Sequence, residues 1–100
     1  MAKVWIPKSA GHSFAAAEVF GEIRIIFDDS SEIFNPQRLR EVAAEKLREF
    51  ERGDWLLLSG PALMNAIVFQ LILAEDGHVK LLLFHSKTSK YLERVYNDES

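Results

Sequence analysis

Short apolar runs alternate with longer stripes of helical spacing along this chain. The pattern is sharpest between Asp54 and Ser86. There an apolar run, Trp55–Leu58, is followed by a Ser59-Gly60-Pro61 break and an apolar stretch from Ala62 to about Glu75. An Asp76-Gly77 stop and a second apolar run, Val79–Phe84, complete it. This order predicts strand, tight turn, helix and strand, a parallel βαβ unit.

The flanking segments extend the alternation. Lys3–Ile6 predicts a strand stopped by Pro7, which cannot donate to a ladder. Ser13 is placed to cap a short helix, Phe14–Phe20, with Gly21 at its end. Glu22–Phe27 predicts a second strand, and Asp28-Asp29-Ser30-Ser31 a solvated turn. Asn35 and Pro36 open a second helix. Its apolar stripe is Leu39, Val42, Ala43, Leu47 and Phe50, with charges on the other faces, until Gly53-Asp54. After the βαβ unit, Ser86–Ser89 has hairpin length and Lys90–Tyr96 predicts a fifth strand. The charges of that strand suit an exposed sheet edge, and Asn97–Ser100 reads as a polar tail.

Strands alternating with helices imply one α/β domain over residues 1–100 with a mainly parallel five-stranded sheet. Right-handed crossovers favour the strand order 2-1-3-4-5, with the last strand antiparallel at an edge. This small three-layer, doubly wound arrangement resembles the Rossmann-like class in general. That class hosts many unrelated functions, so the resemblance carries no site residues to this chain.

The topology exposes a problem of cover. Handedness places the first helix on one sheet face and the other two on the opposite face. Yet Leu56-Leu57-Leu58 and Leu81-Leu82-Leu83-Phe84 are continuous apolar runs, which imply burial on both faces. The third helix lacks a polar stripe, with only Asn65 and Gln70 polar in its interior. Burying one more large apolar side chain is worth roughly 1.5–3 kcal/mol, against a net domain stability of about 5–15 kcal/mol. The pattern therefore predicts a homodimer or higher homo-oligomer, with Met64, Ile67, Val68, Leu71 and Ile72 at the interface. Alternatively, the second helix and the N-terminal segment hide these residues within one chain.

Composition narrows the function classes. With 100 residues, 48% hydrophobic and 27% charged, the chain can bury a modest core and is not a disordered one. A net charge of −3 offers no basic excess to neutralise nucleic-acid phosphates. The chain has no cysteine, which excludes disulfides and thiolate chemistry and suits a reducing cytoplasm. The N-terminal residues do not read as a signal peptide. Ala62–Ala74 is too short to span a bilayer, so no membrane partner is expected. Three histidines without His-x-x-x-His spacing give no zinc signal, and neither a metal nor a cofactor is expected.

Open parallel sheets bind ligands at the carboxyl ends of their strands, where the strand order reverses. Here that crevice lies between the first and third strands. It is flanked by the Lys8–Ser13 loop and by Ser59-Gly60-Pro61, each leading into a helix N-terminus that favours an anion. The candidate ligand-binding residues are Lys8, Gly11, His12, Ser13, Ser59, Gly60 and Asn65. The plainer reading makes Ser13 and Ser59 caps and Gly11 and Gly60 turn residues. His12 and His85 are the candidate catalytic groups for a hydrolase or phosphodiesterase, whereas His78 lies at the opposite strand end. Asp28 and Asp29 suit a turn as well as a metal or a ribose hydroxyl, and Trp5 and Trp55 suit a core. No glycine-rich nucleotide motif is present. Three expectations result: a homo-oligomeric binding or regulatory module, a binder of a phosphate-containing ligand or nucleotide, and a hydrolase.

Overall fold

β-Branched, leucine-rich and aromatic segments separate into strands that alternate their side chains between two faces, and the helices sort onto those faces accordingly. The structure, a computed structural model, describes residues 2–28 and 35–97. The strands are β1 (Lys3–Ile6), β2 (Glu22–Ile25), β3 (Trp55–Leu57), β4 (His78–His85) and β5 (Lys90–Asn97). They form one sheet in the order β2-β1-β3-β4-β5. The first four run parallel, and β5 pairs antiparallel with β4 from His78 opposite Asn97 to His85 opposite Lys90.

The helices are α1 (Pro36–Lys46) and α2 (Ala62–Asp76), with a 3-10 turn, Leu47–Glu49, extending α1. Asn35 caps α1 by accepting from the Arg38 N–H, and Pro36 is its first residue, as the Asn-Pro pair predicts. Gly77 ends α2 in the left-handed conformation and donates its N–H to Leu73 O.

Three local expectations change. The first predicted helix is a six-residue 3-10 segment, Ala15–Phe20, whose N-cap is Phe14 and not Ser13. Ser13 Oγ lies 3.5 Å from the Ala15 N–H, at the outer limit of a hydrogen bond. Strand β2 ends at Ile25, although Ile26 and Phe27 still donate their N–H groups to Ile6 O and Pro7 O beside them. The polar tail begins later than expected, because Asn97 pairs with His78. Residues 29–31 of the expected Asp28–Ser31 turn, and residues 98–100, lie outside the described residues.

Trp5, Leu56 and Val79 point to one face and pack with Leu39, Ala43, Met64, Val68 and Ile72 of the two helices. Val4, Ile6, Trp55, Leu57 and Leu82 point to the other face and pack with Ala17, Phe14 and Phe20 from the 3-10 segment and its entry. The two crossover directions thus place their helices on opposite faces.

Helix α2 resolves its missing polar stripe inside the chain. Met64, Val68 and Ile72, expected at a partner interface, are buried against the sheet, four residues apart along one helix line. Ile67 and Leu71, the rest of that expected set, are half-buried and pack against the same core. Helix α1 provides the other wall, with Val42, Leu47 and Phe50 reaching the same cluster. Gln70, one of the two polar residues within the helix, is exposed.

The uncovered apolar surface lies elsewhere. Phe84 is 57% and Val95 55% exposed, on the face that the 3-10 segment covers only in part. The six residues of the 3-10 segment reach Leu82 and Tyr91 but leave Phe84 and Val95 exposed beside them.

Candidate functional site

The two loops that flank the strand-order reversal meet. The Lys8 N–H donates to Ser59 O at 3.3 Å. Gly60, at φ +95°, lies so close that a Cβ on it would stand 2.7 Å from Lys8 Cβ. Only glycine fits both the backbone conformation and the approach. Ala10 and Gly11 both take positive φ and turn the first loop, and the His12 N–H donates to Ser9 O at 3.0 Å.

Beside this junction lies a crevice of about 370 Å³. Of the seven residues proposed from sequence as ligand-binding, His12, Ser13, Ser59 and Gly60 line it. Its other walls are aromatic and apolar: Phe14, Phe84 and Tyr91, with Leu57 and Leu58. Phe84 and Tyr91 meet edge to face at 5.4 Å, and His12 and Phe14 at 6.5 Å. Partial burial pushes the Tyr91 phenol above its ordinary pKa.

Three of the seven do other work. Lys8 turns its ammonium to Phe27 O, 3.2 Å away, and so ties the first loop to the end of β2. Gly11 is exposed at the tip of its turn. Asn65 closes the turn before α2: its Oδ1 accepts from the Ser59 N–H, and its Nδ2 donates to Ser59 O, Gly60 O and Pro61 O. The expected Ser59 cap is therefore absent. Pro61 is the N-cap residue and brings no capping side chain; the Asn65 amide fixes the turn that leads into the helix and does not cap the N–H groups of its first turn.

The histidines do not converge. His12 is at the crevice, whereas His85 Nδ1 lies 3.2 Å from Thr88 Oγ1 within the β4–β5 turn. His78 contacts Asp76 O at the far end of β4. Asp28 is exposed, and Asp29 lies outside the described residues. Among the described residues no group of three histidine or carboxylate side chains is arranged to hold a metal. Trp5 and Trp55 are buried, on opposite faces of the sheet.

A polar centre that the pattern did not reveal lies at the other end of the strands. Asp54 is 3% exposed. Its Oδ1 accepts from the Lys3 N–H at 2.9 Å, and its Oδ2 from Trp5 Nε1 at 2.9 Å and the Glu51 N–H at 3.0 Å. The Lys3 ammonium lies 3.5 Å from Oδ2 and donates to Glu51. Burial alone would raise the Asp54 pKa. The Glu51 N–H, the Trp5 indole, the Lys3 N–H and the Lys3 charge outweigh it and hold the carboxyl below its ordinary value. In sequence, Gly53-Asp54 reads as the end of a helix. The available signal was the pairing of β1 with β3, which brings the starts of both strands together.

Fold and crevice together define a doubly wound α/β domain with an open, partly aromatic recess at the carboxyl ends of its parallel strands. Over residues 2–98 the chain matches the family model described as Phage Pam3 gp32-like protein, and it belongs to that family. Comparison with curated proteins and with solved structures gave no match. Among the described residues no helix is long and apolar enough to cross a membrane.

Proposed function

We propose that this chain is a small binding or regulatory module that works in the cytoplasm as a homo-oligomer. The supporting observation is the apolar surface left open on the β4–β5 end of the sheet, with Phe84 57% and Val95 55% exposed. Large apolar side chains left exposed on the same face of a sheet favour burial by a partner. The absence of cysteine suits a reducing compartment. Light scattering at micromolar concentration is expected to give at least twice the 11.4 kDa mass of one chain. A single 11.4 kDa species at every concentration overturns the reading.

The convergence of His12, Ser13, Ser59 and Gly60 on one recess favours a second reading, a binder of a phosphate-containing ligand or nucleotide. The probes are inorganic phosphate and nucleoside mono-, di- and triphosphates in a thermal-shift series. A ligand at about 100 times its Kd stabilises by about 2.7 kcal/mol and raises Tm accordingly. No shift with any of them overturns this second reading. No observation favours hydrolysis by His12 or His85.

A further inference from the structure

The recess at the carboxyl ends of the strands is aromatic, hydroxylated and uncharged. Two of its lining residues are large apolar side chains left open, Leu58 at 41% and Phe84 at 57% exposure. Phe84 lies directly opposite Tyr91 in the β4–β5 ladder, so the two rings share a face and meet edge to face. His12 and Phe14 bring a second ring pair to the same recess. Phe14 and Tyr91 pack on the buried cluster below, which holds one ring of each pair in place. An open ring beside a half-buried one offers a stacking surface to a flat guest.

The polar groups of the recess are hydroxyls. The Ser59 hydroxyl and the Tyr91 phenol make no hydrogen bond among the described residues, and each can both donate and accept. Among the described residues no lysine, arginine, aspartate or glutamate lines the recess. The adjacent Lys8 turns its ammonium to Phe27 O. A guest with several phosphates, or a zwitterion, meets no opposite charge there and loses hydration of its own charges. A flat ring with neutral polar edges and hydroxyl groups suits both the rings and the hydroxyls. The recess, about 370 Å³, is near the small end of the range for small-molecule sites, about 300–1,000 Å³, so it suits a single compact guest.

We propose that this recess takes a nucleoside-like guest, recognised by its ring and its hydroxyls, with a phosphate adding little. The proposal rests on the ligand-binding reading above and names the part of the ligand that is recognised. Phe84 stacks on the ring, and Tyr91 and Ser59 hydrogen-bond its polar edge and the sugar hydroxyls.

The test is calorimetric titration of the full chain with adenosine, guanosine, cytidine and uridine, with their 5′-mono- and triphosphates, and with inorganic phosphate. At least one nucleoside is expected to bind, with a Kd within about threefold of that of its monophosphate. The triphosphate is expected to bind no more tightly, and inorganic phosphate not to bind. Phe84→Ala, at an exposed position, is expected to weaken nucleoside binding by about fivefold or more, the loss of one base–ring stack. Phe84→Tyr keeps the ring and is expected to bind as the wild type does, as is Gln70→Ala on α2, away from the recess. Circular dichroism checks the folding of each variant. A nucleotide or phosphate that binds while every nucleoside fails overturns this inference and leaves the phosphate reading standing. A nucleoside that binds while no phosphate ester does supports the inference and overturns the phosphate reading. A nucleoside bound equally well by Phe84→Ala overturns the assignment of the stacking ring. If Phe84→Ala fails to fold, the comparison of nucleosides with their phosphates still decides the matter. No binding by any probe overturns both readings.

Discussion

Asp54→Ala is expected to cost about 3–5 kcal/mol, the range for breaking a buried, hydrogen-bonded ionic group. The carboxylate accepts from three donors, the Lys3 N–H, the Trp5 indole and the Glu51 N–H. Alanine leaves all three donors without a partner in a site from which water is largely excluded, and each unsatisfied buried donor costs about 1–3 kcal/mol. In a domain of this size 1 kcal/mol shifts Tm by about 4–8 °C, so the loss is plain in a melting curve. Asn is not a mild replacement. Its amide oxygen can accept at one position, but its NH2 faces donors at the other. Urea unfolding of Asp54→Ala with a loss under about 1 kcal/mol contradicts this account.

The same group sets an acid limit. Its pKa is lower folded than unfolded. The stability that this difference contributes is full above the unfolded value, about 3.9 for an aspartate. It is lost as pH falls through the folded value. The wild type should lose stability steeply below about pH 4, and Asp54→Asn should lose that part of the slope. Equal acid slopes in the two proteins contradict the assignment.

Gly21→Ala is the second large expectation, at about 2–4 kcal/mol. A Cβ at Gly21 would stand 2.1 Å from Ala2 O and 2.7 Å from its carbonyl carbon. Both are backbone atoms, so no rotamer change relieves the overlap. Either the entry to β1 or the start of β2 must move, and Lys3, paired with Glu22, carries the strain into the Asp54 centre. Gly11→Ala is the control. Its φ of +79° gives the same kind of backbone cost, but nothing stands within 4 Å of the added methyl. It should lose about 1–2 kcal/mol. Equal melting losses in the two variants would show that conformation matters at Gly21 and proximity does not.

The strand order and the opposite placement of the helices were legible in the sequence. The period of apolar residues changes cleanly at Pro7, Gly21, Gly53 and Gly77, and crossover handedness restricts what remains. The crevice was half legible. Strand order locates the reversal, and from that His12, Ser13, Ser59 and Gly60 follow. Phe84 and Tyr91 do not, because they reach the recess only through the β4–β5 register. Helix α2 misled in an instructive way. Its composition signals excess apolar surface but not which element absorbs it, and the stripe of α1, Leu39 to Phe50, joins the sheet in doing so. Asp54 was invisible for a related reason. A single acid at the end of a loop has no periodicity, and its three donors are separated from it by up to 51 residues.

Asn65 gives the recess two unlike sides. The wall from Leu57 to Gly60 is clamped by four hydrogen bonds from one amide to the backbone around it. The facing wall, His12 to Phe14, leans on the turn at Ala10-Gly11 and on the Lys8–Ser59 junction. If the proposed phosphate-containing ligand binds there, it would meet a wall held by these four hydrogen bonds on one side and a loop held by fewer on the other. The ordering entropy of binding would then fall mainly on the His12 side.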